Sequence, residues 1–410
     1  MSKTEIKNSS LNRSGAVAVA YPFPMHLTQR YTYHLSILQF TCALSQFVPV
    51  YLLTLDEEKA IDRLFREEFG LEVPDTLHVV PIKNRRFGFK SNSIWFRQTT
   101  DKVLSRLSTQ YSTLVVYSRN VKIFSYLVNT RAKRNSNIRY IFESHQLFSQ
   151  NLGFMCEFDR AKREHKLEKA LYPKADHIFA NTQLLASQIK KIFSVPATVL
   201  PVAVREEDLA EFDSACAGDY QARYYDFVYV GSFDEWKGVE TLVAALGKLS
   251  GQGWFGKAVL IGVREHELSK WRENVRSFGL EQQVDVVKRI PRKEVSVYLD
   301  RSKIGVVPNS LMDDSIFNTS PLKLFEYAAR GLPVVASRVP AIDSRVRPPT
   351  MFWCLPDDAV SLSEALTDSL RISEKLSTEN WKWASGYTWK SRSVNALSAI
   401  HIPINYQEVS

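Results

Sequence analysis

Short apolar runs alternate with longer amphipathic stretches along most of the chain, and this alternation sets the first expectation. Gly15-Ala-Val-Ala-Val-Ala-Tyr21 is apolar throughout, as a strand buried on both faces of a parallel sheet must be. Similar runs near residues 48–53, 77–82, 113–117, 138–142, 177–180 and 197–200 predict the other strands of a first sheet. A helical stretch follows the first strand to about Gln46, and residues 57–69 and 159–171 carry apolar positions at helical spacing. Repeated strand, helix, strand order is the pattern of a doubly wound parallel sheet. From residue 205 to 220 the composition turns acidic and small, through Glu206-Glu-Asp208 and Ala215-Cys-Ala-Gly-Asp219, which predicts a linker. A second series then opens with Asp226-Phe-Val-Tyr-Val-Gly-Ser232 and continues with strands near 258–261, 284–287, 304–307 and 333–336. The chain reads as an α/β protein of two similar halves, and 410 residues with 45% hydrophobic content suffice for two cores.

The formal charge of +9 changes the picture through its placement. Residues 1–200 hold 28 Lys and Arg against 16 Asp and Glu, whereas residues 201–410 hold 25 against 28. A basic first half favours an anionic membrane surface, a phosphate-bearing acceptor or nucleic acid, and equally fits a solvated surface with no special partner. Lys83-Asn-Arg-Arg-Phe-Gly-Phe-Lys90 and Ile94-Trp-Phe-Arg97 interleave cations with aromatics, a composition suited to a peripheral membrane contact, to stacking on single-stranded nucleic acid, or to a plain loop. Cys42, Cys156, Cys216 and Cys354 are scattered, so neither a disulfide framework nor a zinc site is expected and a cytoplasmic location is the default. No apolar run is long and unbroken enough to predict a transmembrane helix.

The chemistry concentrates at strand ends, where open parallel sheets bind ligands. Ser315-Ile-Phe-Asn-Thr-Ser-Pro-Leu-Lys-Leu-Phe-Glu-Tyr-Ala-Ala-Arg-Gly-Leu-Pro-Val-Val-Ala-Ser337 predicts a loop, a helix from about Pro321 to Arg330, a turn at Gly331 and a buried strand. Thr319 or Ser320 can cap that helix, Pro321 suits its first position, and the free N–H groups of Leu322 and Lys323 make a seat for a phosphate. Glu326 falls at the border of its apolar face, one turn after Leu322. Gly231-Ser-Phe-Asp-Glu-Trp-Lys-Gly238 is the second constellation: Gly231 leaves room for a ligand, and Lys237 can neutralise a diphosphate as a point charge. In the first half, Tyr117-Ser-Arg-Asn120 and Tyr140-Ile-Phe-Glu-Ser-His145 end two predicted strands, and His26 lies on the loop after the first. For His26 a loop role without chemistry competes with substrate contact, and for His145 a bond to a neighbouring carbonyl does.

The run Ser-Pro-Leu-Lys-Leu-Phe-Glu-Tyr-Ala-Ala-Arg-Gly-Leu-Pro-Val-Val-Ala-Ser closely resembles the donor-site signature of the family 4 retaining glycosyltransferases. The resemblance implies the GT-B fold, two Rossmann-like domains with a cleft between them. It divides the chain into an acceptor-binding domain at 1–203, a linker at 204–225, a nucleotide-sugar-binding domain at 226–388 and a segment at 389–410 that crosses back to the first domain. It further implies a donor diphosphate held by Gly231, Ser232, Lys237 and the backbone at 320–323, with the ribose on Glu326. Arg264, Arg289 and Ile290 fall on the nucleotide rim, while His145 and Asn318 lie by the transferred sugar. His26, Arg119 and Glu143 fall on the acceptor side. No metal is expected, and the only co-substrate is the nucleotide diphosphate sugar. The acceptor is expected to be a glycan, lipid-linked or small, and nucleic acid is not favoured. Three departures stand out: Asn318 replaces the first acid of the Glu-x7-Glu pattern, Ser232 replaces the usual Arg, and no glycine occurs between Gly15 and Gly70. The Ser232 departure leaves Arg264 or Arg289 as candidates for the second phosphate cation. All three departures admit an alternative, a weakened GT-B protein that binds nucleotide sugar as an assembly module.

Overall fold

The computed structural model describes residues 16–82, 92–154, 156–210, 223–312, 322–343, 346–371 and 374–404. Asn318, Thr319, Ser320, Pro321 and the basic run at 83–90 therefore lie outside the described residues, as does most of the acidic stretch at 211–222. The first sheet contains seven parallel strands: β1 (Val17–Pro22), β2 (Val50–Thr54), β3 (Leu77–Pro81), β4 (Thr113–Ser118), β5 (Ile138–Ser144), β6 (His177–Ala180) and β7 (Thr198–Val199). Their order is β3-β2-β1-β4-β5-β6-β7, so the winding reverses between β1 and β4. The second sheet comprises β8 (Tyr225–Val230), β9 (Ala258–Val263), β10 (Val284–Lys288), β11 (Ser302–Val307), β12 (Val334–Ser337) and β13 (Met351–Cys354). Its order is β10-β9-β8-β11-β12-β13, with the reversal between β8 and β11. Each sheet thus has a switch point where loops diverge and leave a crevice at the carboxyl ends of the strands.

The helices of the first domain are α1 (Thr32–Ser45), α2 (Glu58–Phe69), α3 (Asn92–Gln110), α4 (Val121–Asn129), α5 (Phe148–Phe154), α6 (Phe158–Leu171) and α7 (Gln183–Phe193). Those that follow are α8 (Glu206–Ala210), α9 (Val239–Gly251), α10 (Leu268–Ser277), α11 (Arg292–Asp300), α12 (Leu322–Ala329), α13 (Ala359–Ser369), α14 (Glu374–Ser385) and α15 (Trp389–Ala399). Their boundaries follow local chemistry. In α2, Ile61, Leu64, Phe65 and Phe69 form the buried stripe, and Gly70 ends the helix at φ 71°. Thr182 and Thr388 cap α7 and α15 by accepting backbone N–H bonds from Leu185 and Ser391.

The chain crosses between domains twice, and the two crossings are stitched together. Val204 N–H donates to the Tyr387 carbonyl at 2.9 Å, and Trp389 N–H returns to the Val204 carbonyl at 2.9 Å. Beyond this stitch, α15 packs on the first domain: Trp389, Ala396, Leu397 and Ile400 share one core with Val19, Phe40, Val115 and Phe179. Burying side chains of this size stabilises the docking by about 1.5–3 kcal/mol for each large one. The expected linker is structured at its start, because Leu209 of α8 joins the second domain's core and Asp208 pairs with Arg205 and Arg330. Strand β13 was not anticipated; Met351, Phe352 and Trp353 are only half-buried, as an edge position allows.

Candidate active site

The second domain builds a compact, lysine-bearing corner around α12. Gly305 in β11 has no side chain because the Tyr327 ring occupies that space, where an added Cβ would fall 2.2 Å from a ring carbon. The Tyr327 hydroxyl accepts the Val230 N–H at 2.8 Å, which fixes the helix against the end of β8. One turn earlier, this docking delivers Lys323 to the loop that follows β8. Its Nζ lies 4.0 Å from the centroid of the Tyr229 ring, and a Cβ added at Gly231 would lie 3.1 Å from it. The Tyr229 hydroxyl donates to the Ser232 carbonyl at 2.5 Å and so shapes the same loop. Gly238 closes the loop at φ 67°, where a Cβ would overlap the Pro308 carbonyl oxygen at 1.8 Å. Lys237 sits over the Trp236 ring at 3.5 Å and is near enough to Lys323 to oppose its charge. Burial, reinforced by Lys237, pushes the Lys323 ammonium well below the usual lysine range, and Glu326 opposes the shift.

The other residues read as donor ligands take more varied places. Leu322 opens α12 and is 9% exposed, and the first-turn N–H groups of such a helix lack partners within it. Glu326 is largely buried and takes an ion pair from Arg292, a residue sequence reasoning missed. Burial raises the Glu326 pKa while Arg292 opposes that shift. Arg264 is exposed and committed to Asp234 at 2.5 Å and Glu267 at 3.4 Å, and Arg289 donates across the domain boundary to the Arg30 carbonyl. Neither of the two cations considered as substitutes at Ser232 is therefore free of partners. Ile290 packs against the second domain's core. The boundary itself is polar: Arg292 N–H reaches Glu68 at 3.3 Å, Lys293 reaches the Arg66 carbonyl at 3.4 Å, and Arg30 pairs with Glu67 and Glu68. Through these contacts the carboxyl-end loops of the two sheets meet.

On the first domain, a small cavity is lined by Tyr21, Arg119, Glu143, His145, Trp389 and Arg392, among others. Glu143, read from sequence as an acceptor ligand, is 3% exposed and turned inward. Its carboxylate accepts from Tyr117, from His145 Nε2 and from Arg392 Nη2, the last at 2.8 Å. Burial alone would raise its pKa, but Arg392 and His145 hold it well below the usual carboxylate range. These three donors engage it from within the fold, so it presents almost no open surface. Burial and the neighbouring Arg119 pull His145 down to about 4, so its imidazole is neutral at physiological pH. With Nε2–H on Glu143, its Nδ1 faces the Asn181 amide at 3.5 Å. The competing possibility, a bond to a neighbouring carbonyl, is not what the ring makes. Arg119 is half-buried, 5.7 Å from the Tyr33 ring centroid. His26 is exposed and tied to Asp56 at 3.1 Å, and Asp56 also accepts the Leu27 N–H at 2.5 Å and the Thr28 hydroxyl at 2.7 Å. This first loop is held by a buried carboxylate instead of being loosened by glycines.

Residues sequence reasoning missed are Arg292, Arg392, Asp56 and the side chain of Lys323. Arg392 lies one helical turn after Trp389, but its partner Glu143 is 249 positions away. Nothing local marks such a pair.

With this geometry in place, comparison with known proteins defines the class. The arrangement of two facing parallel-sheet domains is the GT-B fold of glycosyltransferases. Sucrose-phosphate synthase from Thermosynechococcus elongatus superposes with a TM-score of 0.70 at 16% identity, covering 94% of this chain and 98% of that one. Anabaena HepE in complex with UDP gives 0.65 at 11% identity, with 94% and 99% covered. Residues 225–371, the second domain, match the family described as glycosyl transferases group 1. In sequence, the chain is similar to the amylovoran biosynthesis glycosyltransferase AmsK of Erwinia amylovora, 30% identical over 146 residues and 35% of each chain. It is also similar to the putative colanic acid biosynthesis glycosyltransferase WcaL of Salmonella typhimurium, 26% identical over 148 residues and 36% of each chain. The alignments span about a third of these curated relatives.

Proposed function

We propose that the chain is a retaining glycosyltransferase that moves a sugar from a nucleoside diphosphate sugar to a glycan acceptor held against the first domain. The observation that carries this reading is the convergence of the Gly231–Gly238 loop, Lys237 and the start of α12 at the switch point of the second sheet, within the stretch that matches a glycosyltransferase family. A diphosphate leaving group needs its growing charge neutralised, and an ammonium with a helix N-terminus supplies that without reorganising. The sugar C1–O bond to the diphosphate breaks, a C1–O bond to the acceptor forms on the same face, and the acceptor proton passes to the departing phosphate oxygen. Glu326 takes the ribose hydroxyls, with Arg292 steadying its carboxylate. The neutral His145 serves as a hydrogen-bond partner of the sugar, oriented by Glu143, and Asn318 is assigned to the same sugar.

HepE holds UDP and the curated relatives are named for amylovoran and colanic acid biosynthesis, so a UDP-sugar and a glycan acceptor are the first substrates to test. We assign lysine cations and helix N–H groups to the diphosphate, and expect transfer to survive chelation by EDTA. None of the described helices is long and apolar enough to cross a membrane. Ile94 and Trp95 stand exposed at the start of α3, and we assign that face to anionic lipid at the cytoplasmic surface. The reading is tested by a thermal-shift panel of nucleoside diphosphates and their sugars, in which ligand at a hundred times its dissociation constant stabilises by about 2.7 kcal/mol. Lys237→Ala and Glu326→Ala should each remove most of that shift while leaving the unliganded fold intact. A panel in which no nucleotide shifts the wild-type protein would overturn the reading.

A further inference from the structure

The ammonium of Lys323 is the least ordinary group in the second domain. The residue is 6% exposed, and its Nζ makes no hydrogen bond among the described residues. Burying a cation without a partner is costly, and nothing in the fold of α12 requires it: the helix is anchored by Tyr327, Leu324 and Phe325. The groups facing Lys323 are the Tyr229 ring from β8, Lys237 from the adjacent turn and Glu326 from its own helix, and Glu326 is already taken by Arg292. A second cation nearby makes the charge less welcome still. Such an arrangement destabilises the free protein and is relieved by an anion seated between the two ammonium groups.

We propose that the Lys323 side chain, together with Lys237, binds the donor diphosphate and supplies the cation missing at Ser232. The proposal rests on the donor-binding reading above and extends it from backbone to side chain. Geometry supports the substitution of one cation for the other. Ser232 directly follows Gly231, and the Lys323 Nζ lies 3.1 Å from where a Cβ at Gly231 would stand. Arg264 and Arg289, the alternatives within reach of sequence reasoning, are engaged by Asp234, Glu267 and the Arg30 carbonyl. Lys323 reaches the loop from the opposite wall, through the docking of Tyr327 on Gly305 and Val230.

The test uses the full chain and two variants, Lys323→Met and Lys323→Met with Ser232→Arg. Affinities are measured for the nucleoside diphosphate that the wild-type protein selects and for the corresponding nucleoside without phosphates. Methionine fills a similar volume without charge, so the unliganded single variant should melt at a higher temperature than the wild type. Its affinity for the diphosphate should fall about 10- to 100-fold, the loss expected for a hydrogen bond to a charged group, while nucleoside affinity stays unchanged. The added Arg should recover part of that loss. A parallel loss of nucleoside affinity with a lowered melting temperature would make Lys323 a prop for the loop and overturn the proposal. Unchanged diphosphate affinity in Lys323→Met would refute the role of Lys323 while leaving the donor-binding reading standing. If the wild-type protein binds none of UDP, GDP or ADP, that reading fails and this proposal with it.

Discussion

Removal of the Arg392 guanidinium should loosen the returning helix α15 and expose how the two halves depend on each other. In the wild-type protein Arg392 is 4% exposed and Glu143 3% exposed, and their atoms meet at 2.8 Å. Arg392 also donates Nε–H to the Pro201 carbonyl at 2.8 Å and lies 4.3 Å from the Phe40 ring centroid. Arg392→Met retains the packing stem but leaves Glu143 charged and desolvated. Breaking a buried ion pair from one side costs about 3–5 kcal/mol. Tyr117 and His145 still donate to Glu143, so the lower end, about 3 kcal/mol, is expected. Adding Glu143→Gln removes the stranded charge and should recover about 1–2 kcal/mol, a coupling expected for residues in direct contact. Because two domains seldom unfold in one step, the assay is native-state hydrogen exchange across residues 389–399, which reports local opening of this helix. The sign with pH is fixed by Glu143, whose pKa is depressed in the folded state. Its stabilisation is present above the unfolded carboxylate pKa of about 4.3 and lost as pH falls through the folded value. The wild-type advantage over Arg392→Met should therefore shrink under acid conditions. Loss of Arg392 should also raise the His145 pKa from about 4, visible by NMR titration. Strictly additive single and double variants, with unchanged protection in this helix, would refute the coupling.

Two further outcomes are expected. Gly238→Ala forces φ 67° on a residue with a Cβ and drives that atom into the Pro308 carbonyl oxygen. A loss above about 1 kcal/mol by denaturation, and a larger loss of nucleoside diphosphate affinity by calorimetry, should follow; wild-type affinity in a folded variant would show the loop geometry to be dispensable. Glu168 is fully buried against Ser149, and burial pulls its carboxyl up to about 7 from 4.5. A raised carboxyl pKa contributes stability that is complete below the unfolded value and is lost as pH rises through the folded one. Glu168→Gln should match the wild type near pH 4 and exceed it by about 3 kcal/mol at pH 8, and parallel stability curves for the two proteins would contradict the assignment.

Much of the architecture was legible because it is local. Strands such as Val17–Pro22 and His177–Ala180 are short apolar runs, and in a parallel sheet covered on both faces such runs have few other places to go. Helix α12 and its stop at Gly331 followed from the same kind of reasoning, since Gly331 adopts φ 69° where other residues are strained. The half-buried β13 escaped because an edge strand does not need a continuous apolar run. The acidic start of the linker escaped because the pairing of Asp208 with Arg205 and Arg330, and the burial of Leu209, make a helical turn out of residues that read as solvated.

The candidate site divides in the same way. Gly231, Lys237 and Glu326 could be picked out as candidates because strand ends and helix starts are local features and their chemistry is written in neighbouring residues. Which cations already hold partners was not: Arg264, Arg289 and Lys323 look alike in a sequence, and only packing commits the first two to partners and buries the third without a hydrogen bond among the described residues. Likewise Glu143 is a strand-end acid like many others until Arg392 arrives from 249 positions away and turns it into a support for His145. Periodicity and turn chemistry act over a few residues and so fix the elements. Charge and desolvation act through space, so the state of each ionisable group is decided only when distant segments close around it.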